Sequence, residues 1–167
     1  MNTATTQRVT VRKLGKHLGA EIVGVDLSKP LDDDAFAQVS RAFFDNEVVF
    51  FRNQDLTPEQ QIAFTRRFGV LEQHVRKEHR LEGYPEILIV SNVLNEQDKA
   101  IGVEDAGRFW HSDLSYKQVP SLLSALYALE VPVRDDGTVL GPTSFASTTA
   151  AYDALPEEMK KRLQKLK

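Results

Sequence analysis

Three short apolar runs constrain this chain most: AEIVGVDL (20–27), EVVFFR (47–52) and EILIVSN (86–92). Each is bounded by polar residues or turn formers and is too short for a typical helix, so each reads as a strand, with VTVRK (9–13) as a fourth. Alternation in the first run puts Val23, Val25 and Leu27 on one face. Between the runs the period changes. After the turn SKPLDDD, Asp32 or Asp33 suits a helix cap, and Phe36, Val39 and Phe43 recur at spacings of three and four. In LTPEQQ, Thr57 suits the N-cap, Pro58 the first helical position and Gln60 the capping-box position. That helix should run to about Phe68 and stop at Gly69.

The second half is less regular. VLNEQDKAIGVEDAG (93–107) is polar and poorly periodic and reads as a long surface loop, a common place for binding segments. SLLSALYALEV (121–131) fits a helix through Leu122, Leu126 and Leu129, or a strand through Leu123, Ala125, Tyr127 and Leu129. TSFAS reads as a short strand. TTAAYDALPEEMKKRLQKLK reads as helical, restarting at Pro156, with Met159, Leu163 and Leu166 as an apolar stripe. At 167 residues, one domain over 1–167 is the expectation.

Composition narrows the chemistry. Net charge is −3 with no basic excess, which argues against nucleic acid as a partner. There is no cysteine, so disulfides, thiolate metal sites and a cysteine nucleophile are excluded, and any metal must be held by His, Asp or Glu. The N-terminal MNTATTQRVTVRK lacks a signal-peptide apolar run and no stretch reaches membrane-spanning length. The expected setting is cytoplasmic, without a membrane partner.

FWHSDLSY (109–116) carries the chemistry. On a strand, His111 and Asp113 project to the same face with Cα atoms roughly 6–7 Å apart. An imidazole nitrogen and a carboxylate oxygen then converge as neighbouring ligands. With a second histidine they would make the two-His, one-carboxylate triad of non-haem Fe(II), which leaves positions open for a co-substrate and dioxygen. The plainer alternative is a surface histidine bonded to its neighbouring carboxylate. Trp110 reads as core or site wall, His17 and His79 as surface residues.

From about Leu14 onward the chain resembles the taurine dioxygenase and aryloxyalkanoate dioxygenase family of Fe(II)- and 2-oxoglutarate-dependent oxygenases. The motifs LGAEIVGVDLSKPL, EVVFFRNQDLTPEQQIAFTRRFG, WHSDLSY, GPTSF and AAYDALPEEMKKRL carry the resemblance in family order. It implies an α+β fold, a distorted double-stranded β-helix (jelly roll) with flanking helices, incomplete in this chain. It implies iron at His111 and Asp113, Thr143 on a carboxylate of 2-oxoglutarate, His74 on the acidic group of the substrate, and Asn92 at the site wall. Two departures stand out. Pro142 replaces the usual aspartate of Gly-Asp-Thr behind a longer VRDDGTVLG segment, which makes Thr138 a lesser candidate. Gly107 stands where taurine enzymes have asparagine.

The resemblance further implies a second iron histidine and a 2-oxoglutarate arginine well downstream of the His-x-Asp pair. No histidine follows Asp113, so the expectation is an N-terminal part of such an enzyme. The expected activity is hydroxylation of a small anionic substrate (sulfonate, alkyl sulfate or aryloxyalkanoate), consuming dioxygen and releasing succinate and CO2. A homo-oligomer is expected of the full-length enzyme. One rival is a non-catalytic fragment that binds anions or a partner. Another is a zinc hydrolase using His74, His111 and Asp113, against which the absence of an H-E-x-x-H pattern speaks.

Overall fold

The computed structural model describes residues 7–104 and 106–166. They group into two compact units, one of residues up to Gln54 with those from Ser144 onward, the other Asp55–Thr143. In the first, β1 (Thr10–Lys13) lies antiparallel to β2 (Ala20–Val23), and β2 lies parallel to β3 (Val49–Phe50). α1 (Asp33–Asn46) makes the crossover that parallel neighbours need.

β2 is shorter than the run 20–27. Gly24 ends it at φ +85°, where a side chain would meet the Arg8 carbonyl. The break shifts the alternation. Ala20 and Ile22 are buried before it, Val25 and Leu27 after it, and Val23 is only half-buried. The expected common face of Val23, Val25 and Leu27 therefore fails at Val23.

Asp32 caps α1, its carboxylate accepting from the Ala35 N–H at 2.7 Å. The buried stripe is Ala35, Val39, Ala42 and Asn46, with Phe36 and Phe43 half-buried beside it. Small side chains on the central line let the helix lie close to β2 and β3. Burial of Val39, fully enclosed, contributes about 1.5–3 kcal/mol. Asn46 donates from Nδ2 to the Ala42 carbonyl at 2.8 Å, so its buried amide is satisfied. Farther along, Ser147 caps α3 (Thr148–Asp153) by accepting from the Ala150 N–H, and its hydroxyl donates to Glu47 Oε1, each at 2.9 Å. α4 (Glu157–Leu163) restarts after Pro156, with glutamates first and Lys160, Lys161 and Arg162 last, matching its dipole. Met159, Leu163 and Leu166 are exposed, and TSFAS forms no strand.

In the second unit, α2 (Pro58–Arg66) has the expected capping box. Thr57 Oγ1 accepts from the Gln60 N–H at 3.3 Å and Gln60 Oε1 accepts from the Thr57 N–H at 2.8 Å. The helix unwinds through tighter bonds to Gly69. β4 (Arg80–Leu81) and β5 (Tyr84–Leu88) form a hairpin around Gly83, which takes φ +80°. Arg66 reaches Glu86 at 3.3 Å, tying α2 to β5.

Part of the segment expected to be an irregular loop, residues 93–103, is held by backbone pairing. Val103 N–H donates to Ile89 O at 2.9 Å, Ile101 N–H to Val93 O at 3.2 Å, and Leu94 bridges antiparallel to Ala100. Asn95 Oδ1 accepts from the Gln97 and Lys99 N–H groups at the tip, both at 3.0 Å. Backbone bonds build this ladder without an apolar side-chain rhythm, so periodicity could not reveal it. Gly102 permits it: a Cβ there would sit 2.8 Å from Ile89 O and from Ser91 N. Residues 121–131 are neither helix nor strand. The described strands thus make a three-stranded and a two-stranded sheet, an α+β arrangement. Among the described residues no helix is long and apolar enough to cross a membrane.

Candidate metal centre

The segment carrying His111 and Asp113 is not the expected strand. It turns at 113–116, with Leu114 at φ +51° and the Lys117 N–H donating to the Leu114 carbonyl at 3.0 Å. Gly107 at φ +80° bends the chain on the other side. Between these bends residues 108–112 pair with no strand among the described residues. A left-handed leucine costs on the order of 1 kcal/mol, so the surrounding contacts must hold the turn.

The two side chains converge nonetheless. His111 Nε2 lies 3.2 Å from Asp113 Oδ1. His111 Nδ1 lies 2.7 Å from the Phe109 carbonyl oxygen, which can only accept, and this assigns the ring proton to Nδ1. A neutral imidazole then points the Nε2 lone pair at the carboxylate. Two acceptors facing at this distance call for a cation between or beside them, either a proton on Nε2 or a metal ion. An octahedral ion with bonds of about 2.1 Å sets adjacent donors about 3 Å apart, so this pair fits two neighbouring ligand positions. Both side chains are half exposed (54% and 52%), which leaves the facing atoms reachable. Among the described residues no third His, Asp or Glu joins them in a metal-holding group.

Thr143 ends this unit. Its hydroxyl is exposed and makes no hydrogen bond to the described residues. Thr138 is already engaged. It sits in the turn between the bridged Val133 and Val139, with its N–H on Asp136 Oδ1 at 2.9 Å. Its hydroxyl, with that N–H, holds the Asp136 carboxyl below its ordinary pKa. His74 Nδ1 accepts from the Arg76 N–H at 3.2 Å, so a neutral ring carries its proton on Nε2. The Arg80 guanidinium donates to the His74 carbonyl, through Nε at 2.8 Å and also through Nη2. Asn92 is exposed on the first arm of the 89–103 hairpin.

One expectation about nearby residues fails and another narrows. Trp110 is 74% exposed, so it is not core, and the site-wall alternative stands. His79 is half-buried rather than on the surface, and its Nδ1 is enclosed without a hydrogen-bond partner. The structure also reveals groups that motif reading passed over. Ser124 Oγ donates to Asp113 Oδ2 at 2.5 Å. Lys117 Nζ pairs with Glu72 at 2.6 Å, tying the segment of His74 to the turn that follows Asp113. No spacing rule links a hydroxyl or a lysine to a partner so far along the chain.

The model of the family described as taurine catabolism dioxygenase TauD, TfdA family matches residues 10–167. A pentalenolactone F synthase of Streptomyces avermitilis is 33% identical over 155 residues, covering 89% of this chain and 48% of that protein. An alpha-ketoglutarate-dependent 2,4-dichlorophenoxyacetate dioxygenase of Cupriavidus pinatubonensis is 33% identical over 170 residues, covering 95% and 57%. The crystal structure of AAD-2 in complex with Mn(II) and N-oxalylglycine superposes with a TM-score of 0.59 at 28% identity, over 94% of this chain and 50% of that one. The chain spans about half the length of the curated relatives it matches. It belongs to the TauD, TfdA family of dioxygenases.

Proposed function

We propose that this chain is part of an Fe(II)- and 2-oxoglutarate-dependent dioxygenase. The enzyme hydroxylates a small anionic organic molecule of the sulfonate, alkyl sulfate or aryloxyalkanoate type and releases succinate and CO2. The observation that carries the reading is the His111–Asp113 pair, two metal-capable acceptors 3.2 Å apart with the ring proton tied off at Phe109. Family membership over residues 10–167 supports it. The parent fold we propose is the jelly roll with flanking helices, on the strength of the likeness to AAD-2 over nearly the whole chain.

The residues take separate roles. His111 Nε2 and Asp113 Oδ1 would hold the iron, which when bound supplies the redox centre for dioxygen and 2-oxoglutarate. The Thr143 hydroxyl, which makes no hydrogen bond to the described residues, donates to a 2-oxoglutarate carboxylate. His74 presents its Nε2–H to the acidic group of the substrate. Asn92 stands at the wall. In this reading a third protein ligand and an arginine for the distal carboxylate would have to join them, since no third His, Asp or Glu stands with the pair among the described residues.

A second reading is a non-catalytic anion- or partner-binding module, favoured by the lack of a three-donor group among the described residues. Iron content and 2-oxoglutarate-dependent succinate release, measured on the protein at its natural length, separate the two. Iron-dependent release is expected, and His111→Ala and Asp113→Ala should each abolish it while the protein stays folded. Near-normal turnover in either variant would remove that residue from the ligand set. No turnover and no iron in the wild type would favour the binding module.

A further inference from the structure

We infer that Ser124 is a positioning residue for Asp113, holding that carboxylate to ligation through one oxygen. The inference rests on the iron-site reading above. The two oxygens of Asp113 have different surroundings: Oδ1 faces His111 Nε2 at 3.2 Å, and Oδ2 accepts from Ser124 Oγ at 2.5 Å. An ionised carboxylate only accepts, so the direction of the second bond is fixed. With Oδ2 engaged, Oδ1 alone is aimed at the position beside Nε2. Without that bond the carboxylate is free to rotate Oδ1 away from the position beside Nε2, which weakens ligation.

The hydroxyl is itself held in place. Residues 121–131 lack regular structure. Three residues past Ser124, the Tyr127 hydroxyl accepts from the Leu56 N–H at 3.1 Å, which ties the segment down next to the hydroxyl. Ser124 is exposed, so the core does not rest on it. Donors behind the ligands of a metal are commonly worth 10–100-fold in affinity.

The test is titration of Mn(II), a redox-stable probe for the Fe(II) position, into the protein at its natural length. Free Mn(II) is read by its EPR signal and folding by circular dichroism. Ser124→Ala should bind about ten- to a hundredfold more weakly than wild type, and Ser124→Thr, which keeps the hydroxyl, should restore most of the affinity. Ser124→Val, close to threonine in shape, should stay weak, so the Thr and Val pair decides the matter even if the alanine variant folds poorly. Equal affinity for Ser124→Thr and Ser124→Val, with binding still lost in His111→Ala and Asp113→Ala, would overturn the positioning role and leave the iron site standing. Undiminished binding in His111→Ala and Asp113→Ala, or no binding by the wild type, would overturn both.

Discussion

Thr143 and Thr138 have the same side chain five positions apart, and their surroundings separate them. The Thr138 hydroxyl and N–H are spent on Asp136, while the Thr143 hydroxyl makes no hydrogen bond among the described residues. A hydrogen bond to a charged group is worth about 1.5–3 kcal/mol. Thr143→Val should therefore weaken 2-oxoglutarate binding roughly ten- to a hundredfold, and Thr138→Val should leave it unchanged. Affinities from titration calorimetry would show which threonine serves. Asp26 offers a test in the first unit. The Lys29 ammonium at 2.7 Å, then the Ser28 hydroxyl, hold its carboxyl from an ordinary 3.8 down to about 2. A carboxyl depressed on folding stabilises the fold above its unfolded value, and the contribution fades as pH falls through about 2. NMR titration should place the Asp26 midpoint near that value, and Lys29→Ala should raise it. An unmoved midpoint in the variant would rule out the lysine as the main cause.

At the level of elements, capping chemistry decides where helices begin. Thr57 and Gln60 satisfy each other's backbone N–H groups, and Pro58 needs no donor at the first helical position. Thr57→Ala leaves one N–H without its side-chain acceptor. It should lower stability by about 1 kcal/mol in chemical denaturation. No measurable loss would mean that water replaces the cap at no cost. The hairpin 89–103 follows different rules, since its ladder depends on the close approach that Gly102 allows rather than on an apolar face. The turn 113–116 likewise stands on backbone bonds and a left-handed Leu114.

Across the whole chain, exposed apolar side chains concentrate between 109 and 145. Phe109 is 84% exposed and Leu129 88%, and Tyr116, Val119 and Leu126 are also open. Soluble monomers rarely leave so many large apolar groups to water. A polypeptide of these 167 residues alone should therefore associate as concentration rises, which size-exclusion chromatography would detect. Trp110 is the sole tryptophan and sits beside His111. Its fluorescence should resemble free tryptophan in dilute solution and shift to the blue when a partner surface covers it. A monodisperse protein with blue-shifted emission at every concentration would contradict both expectations.

The sequence by itself determined the local features. A cap at Asp32 or Asp33, the capping box at Thr57 and Gln60 and the Pro156 restart follow from residues within a few positions of one another. The family motifs likewise singled out His111 and Asp113 as the pair proposed to hold the metal. Tertiary structure decided what depends on partners distant in sequence or on backbone shape. Period-two reasoning reached the facing of His111 and Asp113 by the wrong route, since a turn and not a strand brings them together. Ser124 behind Asp113, Lys117 against Glu72 and Gly102 inside its hairpin are set by chain crossings that no local pattern encodes. Side-chain periodicity reports which face is buried, whereas hydrogen bonds between remote segments are fixed only once the chain has folded.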